Sequence, residues 1–378
     1  MTQRYEIKLY DTPLLTFCFA PAQLRFYVDD VKLVSDQFSL FPMDLDWTPT
    51  GVTSWLKKRT IPRNREYVRA ILSSLGLESD DLKGIIDICK GLSLNDSYWV
   101  VPEHFPGKFS EYNLYENRFS DILAGVAYTG ISATDRDFTT SPELTTNGTL
   151  PKAWRNLASD GIYLYKGGST TGAHYGDEPF AEFYAAQIAE TLGLNAVSYD
   201  LEEWKGILAS KCKLFSDIDR AFVPVGRIVD SGDLQDILNY YDRQEKPAFS
   251  EGIRDMLAFD ALIFNPDRHT GNYGVLRDNR SGKILAPAPL FDHGLALGSA
   301  CADIERLEAF AKSILPANET RSFEKILGPL MTRRQRDMLK KIEGFTFRLH
   351  PKFNWPEKRL RTLEEILWKR AAEFSKKI

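Results

Sequence analysis

One stretch of this chain limits what the rest can be. It reads Phe264-Asn265-Pro266-Asp267-Arg268-His269-Thr270-Gly271-Asn272-Tyr273-Gly274, and Pro289-Leu290-Phe291-Asp292-His293-Gly294 follows. A helical pattern with Met256, Leu257, Ala261 and Leu262 leads into it, so acidic and amide side chains stand on turns between short strands.

The chain around this block is ordinary for a globular protein. Of 378 residues, 43% are hydrophobic, 12% aromatic and 26% charged, which excludes disorder, collagen and coiled coil. No stretch approaches the roughly 20 apolar residues of a membrane helix, and Met1 to Tyr10 has no signal-peptide pattern. Cys18, Cys89, Cys212 and Cys301 lie far apart without a C-x-x-C pair, which points to free thiols in a reducing, cytoplasmic setting rather than a zinc cluster. His104, His174 and His350 form no metal-ligand spacing. The net charge is −4, but Arg321 to Ile378 carries 16 Lys and Arg against 7 Asp and Glu, and the preceding 320 residues carry 32 against 45. Such asymmetry fits a docking face for an acidic partner or, more simply, the solvent faces of amphipathic helices.

The chain reads as α+β. Residues 1–48 suggest short strands, among them Tyr5 to Tyr10 and Leu24 to Val28. Residues 53–98 read as three short helices: one capped by Thr53 with Trp55 and Leu56, one capped by Asn64 and closed by Gly76, and one over Ser79 to Cys89. They form a helical cap, with a DNA-docking helix-turn-helix as the less favoured alternative. Residues 101–160 are rich in turn formers, and hydroxyls crowd Thr139 to Thr149. That run is a flexible loop or an autophosphorylation site. A strand over Gly161 to Lys166 follows, then a helix opened by Pro179, carrying Ala181, Ala185, Ile188, Ala189 and Leu192 and stopped by Gly193. Two more strands are expected over Leu208 to Phe215 and Ala221 to Val229, and helices dominate from Leu234 onward. The organisation expected is an accessory region over 1–135, a β-rich lobe over 136–230 and a helical lobe over 231–378.

Phosphoryl transfer needs few protein groups: a carboxylate to orient the attacking hydroxyl, an acid and an amide to hold Mg²⁺, and a lysine on the phosphates. The carboxylate of Asp292 and the amide oxygen of Asn272 are hard oxygen donors that suit Mg²⁺. Asp267 and Asn272 stand five apart, the interval of a kinase catalytic loop. Lys166 ends its strand, and Glu182, on the next helix, is placed to pair with it, although Glu178 and Glu190 flank the same helix.

Asn265-x-Asp267-Arg268-His269-x-x-Asn272, with Pro289-Leu290-Phe291-Asp292 behind it, resembles the catalytic and metal-binding segments of the HipA-type serine/threonine kinases. The Asp-Arg-His-x-x-Asn core also resembles the phosphoinositide-kinase branch of that superfamily. Glu182 to Gly193 is similar to the HipA helix whose glutamate pairs with the ATP lysine, and Thr146 to Trp154 stands where that family has its phosphate-covering loop. The resemblance runs from about Thr145 to about Leu297, and it lacks a G-x-G-x-x-G loop.

The resemblance implies a two-lobed kinase-like fold and an ATP- and Mg²⁺-dependent transfer to Ser or Thr of a protein. In it Asp267 orients the acceptor hydroxyl, His269 braces the catalytic loop, Asn272 and Asp292 bind Mg²⁺, Lys166 contacts phosphate and Glu182 holds Lys166. Gly148 lies in the phosphate-covering loop, and Lys213 to Phe215 form the hinge against adenine. By its residue type alone, His293 is expected to bond neighbouring backbone, with an assist to catalysis or metal binding as the less favoured alternative. A translation factor is the first substrate to try, and an antitoxin-type partner is open. Two alternatives stay open: a small-molecule or lipid-headgroup kinase on the same fold, and a kinase-like module that docks partners or DNA.

Overall fold

The computed structural model describes residues 3–22, 25–78, 80–133, 140–170, 176–230 and 232–376. Met1, Leu24, Ser79, Thr139, His174 and Ile378, named above, lie outside the described residues. Along the chain run β1 (Gln3–Leu9), β2 (Thr12–Ala22), β3 (Arg25–Leu33), α1 (Pro49–Lys57), α2 (Val68–Ser73), α3 (Leu82–Cys89), β4 (Tyr98–Pro102), α4 (Phe109–Tyr112), α5 (Asp121–Thr129), β5 (Lys152–Asn156) and β6 (Ile162–Gly167). There follow α6 (Glu178–Leu192), β7 (Tyr199–Trp204), β8 (Ile207–Lys213), β9 (Arg220–Pro224), α7 (Leu234–Asp242), α8 (Pro247–Leu262), β10 (Gly274–Asp278) and β11 (Ile284–Pro287). The chain ends with α9 (Leu307–Ser313), α10 (Phe323–Leu327), α11 (Arg333–Leu339) and α12 (Glu357–Lys376). These elements sort into two compact units, neither of them one continuous stretch. The first takes the chain up to Lys166 with Leu214–Val223 and Leu276–Leu285; the second takes Gly167–Lys213, Pro224–Val275 and everything from Ala286 on.

In the first unit, β1 alternates as a half-buried strand must: Tyr5, Ile7 and Leu9 point inward and lie in the core. It pairs antiparallel with β2 and β4 in a sheet ordered β3-β2-β1-β4. The helices α1 to α3 bury Val52, Trp55, Leu56, Ile71, Leu72, Ile85 and Ile86 in the same apolar cluster as that sheet. Two helix starts differ from the sequence expectation. Thr48 rather than Thr53 caps α1, accepting from the Gly51 amide, because Pro49 opens the helix four residues before Thr53. Asn64 does not cap α2, which starts at Val68 behind a left-handed Tyr67. The intervening residues are engaged elsewhere: buried Arg65 donates to the Glu143 carboxylate at 2.7 Å and to the Lys152 carbonyl at 2.8 Å, and the Glu66 amide donates to the Thr149 carbonyl. Residues 225–227 form a turn of 3₁₀ helix, so the strand expected through Val229 stops at Pro224.

The second unit packs helices around α8 and α12. Pro179 sits in the first turn of α6, and Gly193 ends it at φ +77°, a conformation only glycine adopts cheaply. The apolar face of α6 is buried as expected, with Glu182 on it. A strand pair, β7 antiparallel to β8, follows α6. No helix among the described residues is long and apolar enough to cross a membrane.

Candidate active site

The site grows out of the end of α8. Its last turn closes on a left-handed Phe264 (φ +43°), and the Asn265 amide reaches back to the Asp260 carbonyl at 2.9 Å, the bond pattern of a Schellman cap. A non-glycine residue there costs about 1–2 kcal/mol, and the buried Phe264 ring and the Asn265 side chain offset it. The Asn265 amide group donates to Asp260 Oδ1 at 2.9 Å, and its Oδ1 accepts the Asp267 amide at 3.1 Å. The loop is tightened further by His269, whose backbone amide donates to the Asp267 carbonyl at 2.8 Å. The exposed His269 ring accepts from the Gly271 amide through Nδ1 at 3.1 Å.

Asn272 is buried, and its Nδ2 donates to the Asp267 carbonyl at 3.1 Å. That bond fixes the side-chain amide against the loop carrying Asp267. Asp292 is held in left-handed backbone geometry, φ +59°. Such strain persists where surroundings over-determine it, at roughly 1–3 kcal/mol. Here the Tyr199 hydroxyl accepts the Asp292 amide at 3.0 Å, and the preceding carbonyl, that of Phe291, accepts from Arg268 at 2.6 Å.

Arg268 joins the two segments. Nε and Nη2 grip the buried Asp260 carboxylate at 2.8 and 2.9 Å, and Nη1 donates to the carbonyls of Asn272 (3.0 Å) and Phe291 (2.6 Å). Nη2 also stands 3.0 Å from His293 Nδ1. A guanidinium only donates, so Nδ1 accepts and the proton of neutral His293 sits on Nε2. This differs from the expectation that His293 serves neighbouring backbone: its ring faces the Arg268 guanidinium. Burial opposes the charge on Arg268, yet Asp260 and, more weakly, Asp292 and Tyr199 lift its pKa above the ordinary value.

Tyr199 on β7 feels the charge of two carboxylates. Burial first, then Glu182 and Asp292, push its hydroxyl well above the ordinary tyrosine range. Glu182 is almost fully buried and accepts from the Ser210 hydroxyl on β8. Tyr199→Phe removes the acceptor for the Asp292 amide and leaves the ring. We expect it to lower stability by about 1–3 kcal/mol, read by denaturant unfolding.

The second unit therefore brings Asp267, His269, Asn272 and Asp292 together, and Glu182 belongs to the same unit. Lys213, exposed at the end of β8, belongs to the same unit. Lys166, Gly148 and Phe215 lie in the first unit. Lys166 is buried on β6, in register with the equally buried Lys152 on β5. Gly148 has φ +92°, and a Cβ there would stand 2.1 Å from Lys152 Nζ, which itself donates to the Asn147 carbonyl. Phe215 packs edge-on to Phe222 at 5.4 Å.

Sequence reasoning gave no role to Asp260, Arg268 or Tyr199. Arg268 was visible inside the motif, whereas nothing in the spacing marks Asp260 or Tyr199. A cavity of about 240 Å³ borders the loop, walled by Asn265, Arg268, His269 and Thr270 and floored by Ile237 and Leu257. A larger one of about 330 Å³, against Tyr241, Asp255 and Arg334, contains none of the predicted site residues.

No known family model matches the chain. The serine/threonine-protein kinase CtkA of Helicobacter pylori is 30% identical over 131 residues, 31% of this chain and 40% of CtkA, so the match spans well under two thirds of that relative. HipA of Shewanella oneidensis, solved with HipB and its operator DNA, superposes over 98% of this chain and 97% of its own with a TM-score of 0.55 at 15% identity. The chain has the HipA-like kinase fold. Its likeness to HipA is one of fold alone. The crystal structure of the H. pylori proinflammatory kinase CtkA aligns over 60% of this chain and 90% of that one, with a TM-score of 0.42 and 21% identity.

Proposed function

We propose that this chain is an ATP- and Mg²⁺-dependent kinase that transfers the γ-phosphate to a Ser or Thr hydroxyl of a protein. The observation that carries this reading is the Arg268 clasp, which holds the turn bearing Asp267 and Asn272 against the segment bearing Asp292. One buried guanidinium, anchored on Asp260, thereby ties the main chain at Asn272 to the main chain at Phe291, so that the residues Asp267, Asn272 and Asp292 stand on segments joined to each other. A phosphoryl-transfer site needs that set.

The donor chemistry fits the metal. Asn272 and Asp292 offer hard oxygens, few in number, as Mg²⁺ prefers, and the Asn272 amide nitrogen is already spent on Asp267. When bound, Mg²⁺ supplies neutralisation of phosphate charge. Asp267 accepts the proton of the acceptor hydroxyl as its oxygen forms the new bond to phosphorus and the bond to the ADP oxygen breaks. His269 braces the loop that aims Asp267. Lys166 steadies the phosphates, Glu182 supports that lysine's role, and Gly148 leaves room for the covering loop to close on its ligand. Lys213 and Phe215 are proposed to flank adenine. In this reading residues 136–230 form the nucleotide-gripping lobe and 231–378 the catalytic lobe. The cavity beside His269 and Thr270 gives the acceptor polypeptide a place to rest.

HipA of S. oneidensis was solved with HipB and operator DNA, and an antitoxin-type protein partner is proposed here on that fold likeness. The protein is expected to act in the cytoplasm, and a translation factor is the first substrate to try.

Incubation of the full chain with γ-labelled ATP, Mg²⁺ and a protein extract tests the reading, with Asp267→Asn in parallel. We expect label on Ser or Thr with the wild type and a loss of about 10²–10⁴-fold in the variant. Equal labelling by both proteins would remove Asp267 from the chemistry. A wild type that neither labels protein nor binds ATP in the presence of Mg²⁺ would overturn the kinase reading.

A further inference from the structure

Arg359 and Arg370 stand eleven residues apart on α12, three turns and about 16 Å along one face. Both are buried, at 3% and 6% exposure, and neither forms an ion pair with a described residue. Arg359 donates to the carbonyls of Cys301 (2.7 Å) and Gly298 (2.6 Å) and lies over the Trp355 ring. Arg370 donates through Nε (3.0 Å) and Nη2 (2.6 Å) to the Ala261 carbonyl and through Nη1 (3.1 Å) to that of Ala311, with its guanidinium between Phe264 and Phe374.

A buried cation is costly, and burial pushes both guanidiniums below their ordinary value, against the weaker pull of Asp177 on Arg359 and of Glu324 and Glu373 on Arg370. The hydrogen bonds given above for each go to main chain. Ala261 lies in the last turn of α8, where unpaired carbonyls carry the negative end of the helix dipole. Three residues on is the left-handed Phe264, and then the Asp267 loop. Gly298 and Cys301 close the turn that follows Asp292-His293-Gly294. The two carbonyl sets thus belong to the two segments that carry the chemistry, and the Leu297 amide ties those segments directly by donating to the Ile263 carbonyl at 3.0 Å.

We propose that Arg359 and Arg370 are positioning residues, through which the C-terminal helix holds the metal-binding and catalytic segments at a fixed spacing. The inference rests on the kinase reading above and adds α12 to its working parts. Arg370 acts on the Asp267 side and Arg359 on the Asp292 side, so their losses differ in kind.

Arg359→Lys and Arg370→Lys keep the charge and most of the stem but cannot fork two carbonyls. Arg361→Lys, on an exposed part of the same helix where Arg361 pairs with Glu357, is the control. In the full chain, with labelled ATP and a phosphate-accepting extract, Arg370→Lys is expected to lower turnover at saturating ATP and Mg²⁺ about tenfold or more, since a displacement of an ångström can cost 10²-fold. Its nucleotide affinity stays at the wild-type value. Arg359→Lys is expected to raise the Mg²⁺ concentration for half-maximal turnover several-fold, with turnover recovering at high Mg²⁺. Arg361→Lys matches the wild type in both. If the two lysine variants lose only thermal stability and keep wild-type turnover and Mg²⁺ dependence at a temperature where they are folded, the positioning role is overturned and the kinase reading stands. If the wild type itself transfers no phosphate and binds no ATP with Mg²⁺, the kinase reading falls and takes this inference with it.

Discussion

Replacing Arg268 with Met is expected to cost about 3–5 kcal/mol of folding stability, the range for breaking one side of a buried ion pair. The cost comes from what stays behind. Asp260, almost fully buried, loses its guanidinium partner and retains only the Asn265 amide among the side-chain donors described above. The carbonyls of Asn272 and Phe291 lose a charged donor as well. Denaturant unfolding should show the midpoint falling, and phosphoryl transfer should vanish with it. The double change Arg268→Met with Asp260→Leu separates the two effects. Removing both charges is expected to restore much of the stability, because a buried pair replaced by apolar groups is often neutral or better, while activity stays lost. If activity returned with stability, the clasp would be structural filler rather than the device that aligns the site.

Asp292→Asn is the second large effect, and it falls on function. The amide is the same shape and tolerates the same left-handed backbone, so unfolding should shift little. A neutral oxygen holds a divalent cation far less firmly, and phosphoryl transfer depends on neutralising charge. A loss of about 10³-fold or more in transfer is expected, with Mg²⁺-dependent ATP binding weakened in parallel by calorimetry. Substantial transfer in the purified variant would remove Asp292 from the metal site. Asp292→Asn and Arg268→Met therefore report on different links: the first on chemistry with the fold kept, the second on the packing that makes the chemistry available.

Much of the local structure is legible because its causes are local. The β1 alternation, the Pro179 start and Gly193 stop of α6, and the helical run into Asn265 each follow from residues within one or two turns. The misplaced starts of α1 and α2 show the limit. Thr53 looks like a cap until Thr48 and Pro49 are set against it, and Asn64 loses its helix because Arg65 is engaged by Glu143, a residue 78 positions away.

The acidic and amide side chains that a phosphoryl-transfer site needs are therefore written in the sequence, since residue type and a spacing of five within one turn are local properties. Three things come from the tertiary structure alone. One is the pairing of the Asp267 loop with the Asp292 segment, made by a single guanidinium that must find Asp260 and Phe291 in space. Another is the placement of Tyr199 at the Asp292 amide, 93 residues away in the chain. The last is the use of α12, whose arginines read in sequence as part of a basic tail and in the fold as donors to buried carbonyls. Buried charges and strained backbones are tolerated only where distant segments converge to satisfy them, and no local pattern records that convergence.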